Sequence, residues 1–140
     1  MTFFVLATGQ SSVWLTVDQR LSSLNGPKRT DDGVKLLSFD GLDGAGLMGY
    51  AGLGKTARGM QPSEWMAGML RGHKMTVQSA VNLVARGVSE QVGRHLPPNS
   101  MHSIGIAAIV DGLPELHAVS LVDGNTIAPR LHVKLSLIHI

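Results

Sequence analysis

The strongest constraint on the fold is a change of hydrophobic period along the chain. Residues 3–8 form an apolar, β-prone run broken at Gly9-Gln10. Residues 13–18 resume with Val13, Leu15 and Val17 alternating against Trp14, Thr16 and Asp18, the two-residue period of a hairpin strand. Residues 24–33 are polar and carry Asn25-Gly26-Pro27 and Asp31-Asp32-Gly33, so a loop is expected there. A third strand is expected over 34–39, a turn at Asp40-Gly41 and Asp43-Gly44, and a fourth strand over 45–50. The period then becomes helical. Pro62-Ser63-Glu64 suits a helix start, and Trp65, Met66, Met69 and Leu70 carry that helix to Gly72. Thr76 is placed to cap a second helix, whose Val77, Ala80, Val81, Val84, Ala85, Val88 and Val92 share one face. Pro97-Pro98 ends it, and strands follow over 103–110, 115–122 and 126–133, separated by turns at Asp111-Gly112 and Asp123-Gly124. Four strands, two helices and three strands predict an α+β domain built from antiparallel hairpins, not an alternating parallel α/β sheet.

Size and composition agree with one domain over residues 1–140. Hydrophobic residues make up 44% and charged residues 16%, which favours a packed core over disorder. Aromatics are only 4%, so that core must rest on Val, Leu, Ile, Ala and Met. The net charge of +2 comes without a basic block, and no nucleic-acid module is recognisable. There is no cysteine for disulfides or thiolate metal sites, and the six histidines lack zinc spacing. No apolar run approaches the roughly 18–20 residues that span a bilayer, and no basic region precedes the first apolar stretch. A cytoplasmic chain with no membrane, nucleic-acid, metal or cofactor partner is therefore expected.

Four further features stand in a suggestive order. Thr2 begins the first strand, Asp18 and Arg20 form an Asp-x-Arg at the end of the second, Lys35 opens the third, and Gly52 and Gly54 follow the fourth. This order resembles that of the proteasome β-subunit family, over residues 2–133. The resemblance implies a four-layer αββα sandwich of two antiparallel sheets, of the N-terminal nucleophile (Ntn) hydrolase type. It also implies a threonine peptidase or amidohydrolase acting on a peptide or amide substrate in a ring-shaped homo-oligomer. The chain ends at Ile140, before the region of the family's closing helices and its distal Asp and Ser, so those helices are expected to be lacking. Phe3-Phe4 also departs from the smaller residues usual after the family's threonine.

The implied chemistry is physically coherent. A threonine hydroxyl needs a base. With Met1 removed, Thr2 gains a free amine of intrinsic pKa about 7.7–8, able to take the hydroxyl proton directly or through water. The Lys35 ammonium disfavours protonation of that amine, Asp18 holds Lys35 as a charge partner with Arg20 in support, and backbone N–H groups of the Gly52–Gly54 turn meet the oxyanion. The plain alternatives are a solvent-facing lysine at 35, a structural Asp18–Arg20 pair, and glycines that serve only a turn. A related reading is a non-catalytic assembly subunit of the same fold.

A competing motif overlaps this one. Gly49-Tyr50-Ala51-Gly52-Leu53-Gly54-Lys55-Thr56 fits the phosphate-loop pattern in full. In it, Gly49 and Gly54 frame a phosphate cradle, Lys55 reaches the terminal phosphates and Thr56 meets Mg²⁺. That motif requires a preceding parallel strand and a following helix, whereas hairpins precede it here and Gly59 and Pro62 interrupt any helix after it. Nucleotide binding is thus the second alternative.

Overall fold

The computed structural model describes residues 4–18, 21–22, 29–30, 33–52, 62–88, 90, 101–122 and 125–127. Strands β1 (Phe4–Thr8) and β2 (Val13–Val17) pair antiparallel, with Leu6 opposite Leu15. The hairpin is closed by a hydrogen bond from the Gly9 N–H to the Ser12 carbonyl, 2.8 Å. Strands β3 (Leu21–Ser22) and β4 (Arg29–Thr30) form a two-residue antiparallel ladder. Arg29-Thr30 falls inside the segment expected to be loop. A ladder this short has no hydrophobic alternation to betray it.

Among the described residues the main sheet has five strands in sequence order, all antiparallel: β5 (Leu36–Asp40), β6 (Gly44–Ala51), β7 (Met101–Val110), β8 (Leu113–Val122) and β9 (Asn125–Ile127). The β7–β8 connection is the two-residue loop Asp111-Gly112, with φ of 49° and 81°. Positive φ at both positions is the primed-turn geometry that Asp-Gly favours. It also lets β8 begin at Leu113, two residues before the expected start, with Pro114 paired to Ile109.

Between β6 and β7 lie helices α1 (Pro62–Leu70) and α2 (Val77–Gly87). Thr76 caps α2 as expected: its side-chain oxygen accepts from the Ser79 N–H at 3.2 Å. The α2 start is also tied to the sheet, since the Val77 N–H donates to Asp43 Oδ1 at 2.7 Å and the Leu42 N–H to the Met75 carbonyl at 2.9 Å.

The helices cover one face of the main sheet. Trp65 and Met66 of α1 and Val77, Ala80, Val81, Val84 and Ala85 of α2 pack with Met48, Tyr50, Ile104, Ile106, Ala108 and Val119. The β1–β2 hairpin covers the other face. A Cβ on Gly105 would lie 2.5 Å from the Phe4 ring, and one on Gly49 would lie 3.0 Å from Leu15 Cδ2 and also meet Val17. Glycine on β6 and β7 lets the second sheet sit close. The result is α+β, antiparallel sheets stacked with a helical pair on one side. Among the described residues no helix lies beyond the hairpin, and no helix is long and apolar enough to cross a membrane.

Candidate functional site

Strand register brings four polar side chains to one end of this stack. Leu36 pairs with Gly49, so Lys35 stands opposite Tyr50, and the Tyr50 N–H donates to the Lys35 carbonyl at 3.0 Å. Ala51 pairs with Ser103, which sets Gly52 beside His102. The contact of Val17 with Gly49 carries Asp18, the next residue, to the same end.

Lys35 is only 2% exposed. A solvent-facing strand lysine is therefore excluded. Burial lowers its pKa from the ordinary lysine value, and the Asp18 carboxylate opposes that shift. Lysine is almost never buried this fully unless it is paired.

Tyr50 and His102 are 4% and 1% exposed. The Tyr50 hydroxyl is hydrogen-bonded to Nδ1 of His102, with the ring centroids 5.8 Å apart. Burial pushes the tyrosine pKa up and the histidine pKa down, so both are neutral near pH 7. Gly52 crosses directly over the pair with φ of 150°, a conformation L side chains rarely adopt. A Cβ there would lie 3.0 Å from both the Tyr50 Oη and His102 Cγ. Nothing in the sequence linked Tyr50 with His102. They lie 52 residues apart, and only the β6–β7 register brings them together.

Of the positions singled out from the sequence, Asp18, Lys35, Gly49 and Gly52 are described, and all four lie at this end of the sheets. Thr2, Arg20, Gly54, Lys55 and Thr56 lie outside the described residues. Gly49, the first position of the phosphate-loop pattern, is within β6, antiparallel to both β5 and β7. An open groove of about 530 Å³ between β5 and α1 is lined by Val34, Leu36, Ser63, Glu64 and Arg71 among others, but not by Lys35. It is separate from the polar cluster. His117 is also buried, and its Nε2 is 3.0 Å from Glu115 Oε2. No group of three or more potential metal ligands occurs among the described residues.

No protein-family model, curated protein or solved structure matches the chain.

Proposed function

We propose that the protein is an N-terminal threonine amidohydrolase or peptidase with a proteasome-like, four-layer Ntn fold. The observation that carries this reading is the burial of Lys35 beside Asp18. A charge removed from water usually stabilises a fold less than an apolar residue of the same volume. A lysine kept in such a place, with its pKa displaced, is a candidate for a working group. The stacking of the β1–β2 hairpin on the main sheet, with helices on the far face, supports the αββ part of the sandwich.

In this mechanism the Thr2 amine takes the proton from the Thr2 hydroxyl as the oxygen attacks the amide carbon. The Lys35 ammonium keeps that amine in its neutral form. The N–H groups of the Gly52 turn hold the oxyanion. Collapse breaks the C–N bond, the proton passes to the departing amine, and water then hydrolyses the Thr2 ester.

Intact mass is the first test. The purified chain should lack Met1, because a retained methionine blocks the amine. Incubation with a peptide β-lactone should then add one lactone mass at Thr2, through ring opening by the hydroxyl. Retention of Met1, or equal labelling of Thr2→Ala, refutes the reading.

A further inference from the structure

The buried Tyr50–His102 pair has no role in the chemistry above, yet it touches both parts of the site. Through its backbone, Tyr50 is bonded to Lys35. Through its hydroxyl it is bonded to His102, and the backbone of Gly52 lies on the bonded atoms. Tyr50 is also two residues from Gly52 in the chain, so β6 delivers the turn and its support together.

We infer that Tyr50 and His102 are positioning residues: their hydrogen bond forms the floor that fixes the Gly52 backbone relative to Lys35. This rests on the hydrolase reading for its catalytic consequence, but not for the positioning itself.

Several observations converge on it. Gly52 has no side chain because the pair occupies that space. Its φ of 150° is open to glycine and rarely to any other residue, so no side chain stands between this backbone and the pair. The neighbours of the pair on the helix-facing side, Met48, Ile104 and Ile106, are apolar. A tyrosine hydroxyl and an imidazole set in such surroundings cost desolvation. A Phe–Leu pair would fill the same core without that cost. Their hydrogen bond is directional, and it fixes the position of Oη and Nδ1 under the turn in a way that apolar packing does not.

Misplacing an oxyanion donor by about an ångström can cost about 100-fold in rate. The expected signature is therefore a loss in the chemical step with binding preserved.

The test uses the full chain and two readouts. Tyr50→Phe removes one oxygen and keeps the ring. Amide hydrogen exchange at Gly52 should accelerate at least about tenfold in this variant, while exchange at Ile106 and Val119 stays as in the wild type. With a peptide β-lactone as probe, the limiting rate of Thr2 acylation should fall about 10- to 100-fold, with the half-saturating probe concentration within about twofold. His102→Asn, whose Oδ1 reaches the place of Nδ1, should retain slow Gly52 exchange and most of the acylation rate. It serves as the deciding variant should Tyr50→Phe not fold. Unchanged Gly52 exchange in Tyr50→Phe, or fast exchange in His102→Asn, overturns the inference. Local exchange that accelerates with no change in acylation rate overturns the catalytic consequence, while the positioning of Gly52 by the pair stands. A wild type that is never acylated refutes the hydrolase reading, and Gly52 exchange still decides the positioning.

Discussion

Replacing Asp18 by Asn should destabilise the protein more than replacing Lys35 by Met, although the lysine is the more buried of the two. Lys35 is 2% exposed, and its desolvation is opposed by the Asp18 carboxylate. Asp18→Asn removes that opposition and leaves an ammonium in a nearly dry site. Breaking a fully buried pair from one side costs about 3–5 kcal/mol. Asp18 itself is only partly buried, and the lysine can relieve the strain by losing its proton, so about 1–3 kcal/mol is expected. Lys35→Met keeps the volume and deletes the buried charge, while the remaining carboxylate stays partly hydrated. Its effect should lie within about 1 kcal/mol of zero and can be stabilising. The double variant should then recover about 1 kcal/mol or more relative to Asp18→Asn alone. Urea unfolding of the four proteins at pH 7 measures this cycle. At this chain length each 1 kcal/mol also moves Tm by about 3–5 °C. A coupling energy below about 0.3–0.5 kcal/mol, the range of independent sites, would refute the claim that Asp18 compensates the burial of Lys35.

Three other outcomes follow from the same structure. Because burial lowers the His102 pKa, the unfolded chain binds the proton first as the pH falls. The histidine's contribution is complete above about pH 6.5 and declines below it with a slope of at most about 1.4 kcal/mol per pH unit; His102→Asn should flatten that slope in urea titrations between pH 4 and 7. Thr76→Ala removes the acceptor for the Ser79 N–H and should cost about 1 kcal/mol, seen as a lower urea midpoint with an unchanged slope. Gly105→Ala places a Cβ 2.5 Å from the Phe4 ring and should cost about 1–3 kcal/mol, with near-ultraviolet circular dichroism and melting as readouts; a neutral result would mean the hairpin does not stack as closely as described.

The elements were largely legible because they depend on local pattern. The three–four spacing from Val77 to Val88 and the Thr76 cap dictated α2. The alternation of Val13, Leu15 and Val17 dictated β2, and Asp111-Gly112 dictated a tight hairpin. The two-residue β3–β4 ladder was not legible, since two residues hold no period. Nor were Tyr50 and His102, because no spacing rule joins residues 52 apart.

The sequence by itself determined the α+β class and most of the order of its elements, since turn chemistry and side-chain periodicity act over a few residues. Only the tertiary structure decided that Lys35 is buried rather than solvated. A lysine opening a strand has the same local sequence in either setting, and the difference lies in what packs over it. Here the β5–β6 register sets Lys35 opposite the buried Tyr50, within reach of the Asp18 carboxylate, and the β6–β7 register sets Gly52 on the Tyr50–His102 pair.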